Sequence, residues 1–455
     1  MTMTPAASQL KRNITLLDVI MLGAGSAIGA AIFTVLSPAA AVGGAAMLVT
    51  LLLAALPMGL FALVYAFLSS AMPMTAASYE WQRQFTHPAF AFAIVWLRVL
   101  SNAVVMVLLA RVLLSYLRMV VVVPELPAIV GLLLVIFLLN YVGVRIAARA
   151  QTLLMIGLLA IFGLFIVAGA PQWQPQVLVD AVTAGWLATL APLPLMIQLF
   201  LSIETATEVG GEVKNAERNI PLGLGLALLL TTLVYGLIAF TTLSLLGPQR
   251  TAASSAPLLE AANLSLGVWA KPLIVTAAVL ALLKSMNAVF LVYSRFLYAM
   301  GTSGVLPASL ARLHPRFATP HIATIVALVV SALCLLLPDS LIFLLLAVSL
   351  PTMGKYFGSC AAAYTVAVRH PDICSRARLR FSRTFVKWLA IAGALTALAI
   401  ALVGITSDLR PYVLMMLWLG LGFVYYFWNR KHRLRLSPYA ESSTSPGPVA
   451  ARRLP

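Results

Sequence analysis

Gly23-Ala24-Gly25-Ser26-Ala27-Ile28-Gly29-Ala30-Ala31-Ile32-Phe33 sits inside the first long apolar run of the chain, at about residues 14–36. Three glycines in one apolar run weaken a helix and let its backbone unwind. In lipid, unwound backbone is tolerated only where it lines a cavity or packs within protein. A half-helix starting near Gly29 would aim free N–H groups and the positive end of its dipole at an anion. Gly25 and Gly29 also stand at GxxxG spacing, which packs one helix against another. This segment alone leaves both readings open.

The surrounding chain is built for lipid. Of 455 residues, 62% are apolar and only 9% charged, where soluble domains carry about a quarter charged. A mean hydropathy of +1.00 cannot be hidden in one soluble core. Apolar runs of about 20 residues, enough to cross a bilayer as helix, begin at roughly 14–36, 43–70, 88–118, 125–143, 150–170 and 184–210. They continue at roughly 221–246, 269–300, 321–337, 340–368, 386–406 and 410–430. Twelve spans are therefore predicted in an all-α integral membrane protein. The period-2 strands of a barrel are absent from the sequence.

The net charge of +17 follows from topology. With the amino terminus in the cytoplasm, 21 of the 30 Lys and Arg fall on the cytoplasmic side, four outside and five within spans. Such a split orients both termini inward and points to a cell membrane, the bacterial inner membrane being the expected one. No basic patch sits on a soluble module, so nucleic acid is not an expected partner. Three scattered cysteines form neither a disulfide framework nor a zinc spacing. No HExxH or GxxxxGK[ST] motif occurs, which argues against a zinc protease and an ATP-driven pump. No metal or cofactor is called for, and no oligomeric state is assigned. The first apolar run reads as an anchor and not as a cleaved signal peptide. The tail 431–455 is basic, then Ser/Pro-rich, and reads as disordered.

The sixth run carries a second interruption. Pro192 and Pro194 precede Phe200-Leu201-Ser202-Ile203-Glu204-Thr205-Ala206-Thr207-Glu208. A carboxylate such as Glu204 is costly at membrane depth, so it is a functional candidate or half of a structural pair. Glu208, a turn nearer the cytoplasm, is expected to be solvated. Interruptions at the first and sixth spans occupy corresponding places in two five-span halves, the pattern of a midplane substrate site.

Beyond the sixth run, Gly210-Gly211-Glu212-Val213-Lys214-Asn215-Ala216-Glu217-Arg218-Asn219-Ile220-Pro221 closely resembles the GEVKNPxRxIP loop of the amino acid–polyamine–organocation superfamily of transporters. Asn287-Ala288, Ser294-Arg295, Tyr298-Ala299-Met300 and Gly304-Val305-Leu306-Pro307 resemble that family's eighth span and the loop after it. His314-Pro315-Arg316 and Thr319-Pro320 continue the match. The resemblance implies a five-plus-five inverted repeat followed by two extra helices, with spans 1 and 6 discontinuous. It divides the chain into a cytoplasmic segment 1–13 and a membrane domain 14–430. That domain comprises repeats 14–170 and 184–368 and extra helices 386–430.

Carried over residue by residue, the resemblance assigns N–H groups of Gly29, Ala30 and Ala31 to a substrate carboxylate. It assigns carbonyls near Ala27, Ile28, Gln198 and Leu201 to the α-ammonium, and Asn102 to a side-chain contact or a buried inter-helix bridge. Departures are equally informative. The family's GxGIF is Gly29-Ala30-Ala31-Ile32-Phe33 here, and its hinge glycine before Glu204 is Ser202. Its Pro-x-x-Gly-Gly-x-Tyr is Pro73-Met74-Thr75-Ala76-Ala77-Ser78-Tyr79. Some proton-coupled relatives place a fifth-span lysine where sodium transporters hold their ion; Met155–Leu159 here has no ionisable residue. Lys284, one turn before Asn287, is the candidate for that vacated cation site. A buried ammonium bears a desolvation cost, so Lys284 would shuttle a proton, act as a fixed charge, or pair with Glu204 or a carbonyl. Lys355 and Arg98 also lie deep; Lys355 would line the pocket and disfavour dibasic substrates. Arg295 reads as part of an inner-gate charge cluster.

The expectation is a secondary transporter of an amino acid or related amine, working by alternating access with protons as the coupling partner. An ion-independent exchanger or exporter is the first rival. A membrane enzyme would need paired acid–base groups or metal ligands at depth, and the spans offer only Glu204, Glu208 and isolated cations. A non-transporting receptor of the same fold is the remaining rival, disfavoured by the intact glycines of the first span.

Overall fold

A computed structural model describes residues 12–29, 31–337, 341–404 and 410–429. Ala30 and the tail 430–455, like residues 1–11, lie outside the described residues. The helices follow the apolar runs: α1 (Leu16–Ala27), α2 (Ala31–Gly43), α3 (Met47–Ala71), α4 (Ala77–Phe85), α5 (Pro88–Leu117), α6 (Glu125–Val142) and α7 (Val144–Gly169). The short helices α8 (Gln176–Thr183), α9 (Trp186–Leu190) and α10 (Leu193–Ile197) come next. The long α11 (Ala216–Ala253), α12 (Pro257–Leu266), α13 (Ala270–Thr302) and α14 (His321–Leu333) follow. Last are α15 (Leu341–Arg369), α16 (Pro371–Arg376), α17 (Arg383–Gly404) and α18 (Arg410–Trp428).

Among the described residues, nine helical segments are long and apolar enough to cross a membrane. The nine segments and the twelve runs differ at the first, ninth and tenth runs. The first run splits into the short α1 and the start of the segment Ala31–Ala71. The ninth shortens to His321–Leu336, stopped by extended backbone at Leu337. The tenth corresponds to α15, 29 residues long.

Local chemistry sets several of the ends. Thr15 and Asp18 form a reciprocal capping box at α1, the arrangement that satisfies two orphan donors at a helix start. Pro88 opens α5 in the first turn, where a missing N–H costs nothing. Gly143, at φ 150°, turns the chain between α6 and α7 with no linker. In the tertiary arrangement α13 packs on α1, α5 and α7, while α11 packs on α1 and α3. α18 is clipped to α5 by stacked Trp96 and Trp418, whose ring centroids lie 4.6 Å apart. Each of these indoles donates to the other's backbone carbonyl at 2.8 Å.

One end of the bundle is covered by the connection 210–215 and the first turns of α11. Asn13 and Ile14 donate their N–H groups to the Glu212 carbonyl at 2.9 and 3.0 Å, and Lys214 N–H returns to Ile14. Beneath this strap the Glu212 carboxylate takes a two-pronged ion pair from Arg295 of α13. Nε lies 2.8 Å from Oε1 and Nη2 3.0 Å from Oε2, and both side chains are buried. Gly210 is needed there, because a Cβ would stand 2.7 Å from the Met74 carbonyl oxygen.

Breaking a buried pair leaves an uncompensated charge, whereas removing both partners is far cheaper. Arg295→Met is therefore expected to cost about 3–5 kcal/mol. The double variant Arg295→Met/Glu212→Leu should recover much of that loss in thermal denaturation of the purified protein. Additive losses in the double-mutant cycle would contradict the direct pairing.

Candidate functional site

The two interruptions face each other. α1 ends at Ala27, Ile28 is non-helical (φ −73°, ψ 76°), and α2 starts at Ala31. Opposite them, α10 ends at Ile197 and a 3₁₀ turn runs over Gln198–Phe200. Leu201 is extended, Ser202 is left-handed at φ 71°, and a second 3₁₀ turn covers Ile203–Glu208. α1 lies on the second turn and α2 on the first. The approach is close: a Cβ on Gly23 would be 2.8 Å from the Ile203 carbonyl oxygen. The backbone leaves the helix after Ala27, and the GxxxG pair also faces close neighbours: a Cβ on Gly25 would stand 2.6 Å from Gln151 Nε2.

Protein donors reach into the first break. The Lys284 ammonium of α13 donates to the carbonyls of Gly25 and Ile28. Tyr235 of α11 donates its hydroxyl to the Ala27 carbonyl at 2.7 Å, and Gly29 N–H bonds back to the same oxygen at 2.8 Å. The Ala27 and Ile28 carbonyls assigned to a substrate ammonium are thus engaged by the protein, though a carbonyl has a second lone pair. The pairing of Lys284 with Glu204 does not occur; carbonyl oxygens take its place. Gly29 is required by close approach, since a Cβ would fall 2.7 Å from Ser285 Oγ. Around Lys284 runs a buried amide network. Asn287 donates to the Ala147 carbonyl at 2.9 Å and to Gln151 Oε1 at 3.2 Å, and Asn140 donates to Asn287 at 3.0 Å.

Next to the second break lies a charge cluster. Glu204 accepts from the Lys355 ammonium and from the Tyr356 hydroxyl, the latter at 2.6 Å. Ser202 N–H donates to that same hydroxyl at 3.2 Å, tying the break to α15. Lys355 Nζ is also 3.8 Å from Glu208 and lies over the rings of Tyr65 and Tyr356. Glu208 is fully buried and not solvated. The reason is α4, whose Ser78 N–H donates to Glu208 Oε2 at 3.1 Å while Ala76 N–H takes the Glu208 carbonyl at 2.7 Å. Arg98 of α5 donates to Thr352 at 2.7 Å and lies within electrostatic reach of Glu204 and Glu208. Asn102, one turn on, is buried, and its amide nitrogen has no hydrogen-bond partner among the described residues. Leu201 and Ser202 are half-buried, whereas the Gln198 side chain is exposed.

Tyr356, Tyr235 and the partnership of Glu212 with Arg295 escaped the sequence reading. Only Tyr356 had a local signal, its position beside Lys355. The glycines missing from the family pattern explain two strained residues. Ala76 and Ser202 hold φ of 50° and 71°, a region that costs non-glycine residues on the order of 1–2 kcal/mol.

A family model described as amino acid permease matches residues 14–445. An uncharacterised transporter of Mycobacterium tuberculosis is 32% identical over 330 residues, covering 71% of this chain and 74% of its own. A methylthioribose transporter of Bacillus subtilis is 24% identical, and a branched-chain amino acid permease of the same species 25%. Each of those two alignments covers 94% of this chain and 95% of the relative. The chain belongs to the amino acid permease family of integral membrane transporters.

The left-handed backbone at Ser202 makes a testable demand. Ser202→Gly should keep uptake in proteoliposomes, because glycine adopts this conformation without strain. Ser202→Val should lower both thermal stability and uptake, since a β-branched residue is the poorest fit at positive φ. Equal uptake by the two variants would show that the left-handed turn is dispensable.

Proposed function

We propose that this protein carries an amino acid or related amine across the bacterial inner membrane by alternating access, coupled to protons, with both termini cytoplasmic. The observation that carries this reading is the pair of helix breaks lying side by side, with the Lys284 ammonium seated on the carbonyls of the first. A helix start leaves its first N–H groups without intrahelical acceptors. Those at Ala31 and just beyond are therefore suited to a carboxylate, two residues further along than Gly29, whose N–H is engaged by Ala27. The Gln198 and Leu201 carbonyls of the second break remain the acceptors for the ammonium. In this reading 14–170 and 184–368 are the two repeats that rock against each other, and the closed loop end is cytoplasmic.

Lys284 sits where a metal cation would take the same oxygens, so its ammonium stands in for the ion. Gain and loss of its proton then make and release the carbonyls of the break. Lys355 pairs with Glu204 and, with Arg98, offsets the charge of Glu204 and Glu208, which disfavours a dibasic substrate that would need those carboxylates. The branched-chain permease among the relatives supports neutral amino acids as the first substrates to test, and the methylthioribose transporter supports a second arm without an α-carboxylate.

Thermal-shift titration of the purified protein with amino acids, amines and methylthioribose, at two pH values, identifies the class by mass action on the folded state. A response to neutral α-amino acids is expected, and silence from every α-amino acid and amine would sink the substrate assignment. In proteoliposomes, an inward proton gradient should drive uptake by the wild type. Lys284→Ala should abolish the pH dependence of transport. If that dependence survives, Lys284 is a fixed charge; if wild-type flux needs only counter-substrate, the protein is an exchanger.

A further inference from the structure

Two adjoining cavities at the loop end of the bundle have no role in the site described above. The first, about 410 Å³, is lined by Arg12, Pro73, Asn215, Glu217, Arg218 and Arg378. Its three arginines come from three separate segments: the stretch before α1, the first turn of α11 and the connection between α16 and α17. All three are exposed. Among the described residues, none of their guanidinium groups has an acidic side chain within ion-pair distance. Glu217 is the one acidic group in the lining. The start of α11, which stays helical up to the kink at Gly247, adds the positive end of a helix dipole.

The second cavity, about 930 Å³, shares Glu217, Arg218 and Arg378 with the first and then becomes apolar. It runs between α3 and α11 over Gly59, Ala62, Leu63, Leu222, Gly225 and Leu229. The groove exists because its floor is small. A Cβ on Gly225 would meet nothing within 4 Å, and one on Gly59 only the tip of Leu228 at 3.7 Å. Its walls are large apolar side chains facing outward, with Leu63 39% and Leu229 65% exposed. From Arg218 to Leu229 the helix rises roughly 16 Å at about 1.5 Å per residue. That is close to half of the roughly 30 Å hydrocarbon core, the depth of one leaflet.

We infer that this composite is a binding site for one anionic phospholipid, its phosphate held by Arg12, Arg218 and Arg378 and one acyl chain laid in the α3–α11 groove. A free phosphate would use the basic cavity and leave the groove idle; a zwitterionic lipid would use the groove and gain little from three cations. Basic pockets between helices at the cytoplasmic face suit anionic headgroups by charge alone. Here the groove adds the second half of the ligand. Because Arg12 adjoins the strap made by Asn13 and Ile14, a bound headgroup also ties that strap to α11 and to the connection before α17.

The test uses the full-length protein in neutral detergent, followed by thermal shift and native mass spectrometry. The probes are phosphatidylglycerol, phosphatidylcholine with the same acyl chains, and inorganic phosphate. Phosphatidylglycerol is expected to bind and raise the Tm, phosphatidylcholine to do so much less, and inorganic phosphate alone to have little effect. Arg218→Gln/Arg378→Gln should weaken phosphatidylglycerol roughly 25-fold, at about fivefold per arginine, without changing the Tm in detergent. Arg12→Gln alone should weaken it about fivefold. Gly225→Leu, which fills open space, should weaken both phospholipids alike. Arg312→Gln/Arg316→Gln, an equal charge change elsewhere at the same end, should leave the preference intact. Unchanged phosphatidylglycerol affinity in the Arg218/Arg378 variant would overturn the site, as would an equal loss in the Arg312/Arg316 control. Inorganic phosphate matching the phospholipid would reduce it to an anion site with no lipid.

Discussion

A carbonyl that leaves helical geometry at membrane depth has no water to turn to, so the protein must bring it a donor. That constraint governs how α1, α11 and α13 are assembled. The break after Ala27 strands the carbonyls of Gly25, Ala27 and Ile28, and two neighbouring helices supply hydroxyl and ammonium donors from Tyr235 and Lys284. Supplying them fixes the rotation of α11 and α13 about their axes, because each donor has to face the same short stretch. The glycines complete the fit: Gly23 lets the second break approach and Gly29 lets Ser285 approach. A cation buried this way is expensive, and oxygen ligands are what make it tolerable.

The remaining buried charge is organised at two levels of the bundle. Near the breaks, Glu204 and Glu208 face Lys355 and Arg98, and Tyr356 joins the Glu204 carboxylate to the Ser202 backbone. At the loop end, Arg295 and Glu212 form a pair covered by the amino-terminal strap. α13 carries both Lys284 and Arg295, eleven residues apart on one continuous helix. A change in the first break therefore shares a rigid element with the closure of the loop end, while Tyr356 connects the second break to α15. These are contiguous contacts on helices that pack as units, the kind of connection through which a two-state bundle can be biased.

Much of this was legible in the chain as written. Apolar run length marked the long helices, and Lys284, Lys355 and Glu204 stand out because charge at depth is costly. Partnerships were harder to read. Sequence offers Glu204 as a partner for Lys284, yet Lys355 and Tyr356 of α15 hold that carboxylate, while the carbonyls of the first break occupy Lys284. Counting one turn from Glu204 toward the cytoplasm puts Glu208 in solvent. In the fold α4 returns over it and caps the acid with the Ser78 N–H. The lost glycines at Ala76 and Ser202 were visible as departures from a family pattern. That both positions retain left-handed backbone was not, since φ is set by the surrounding packing.

Sequence by itself determined that the protein is an all-helical bundle solvated by lipid, that its first and sixth spans are weak as helices, and that a few charges lie too deep to be accidental. Those properties depend on composition and short-range pattern, which each segment carries alone. Tertiary structure decided which donor meets which carbonyl, which cation meets which acid, and where three distant arginines converge above an apolar groove. Such pairings depend on the rotation and depth of helices far apart in the chain, and those are set when many weak contacts are satisfied together.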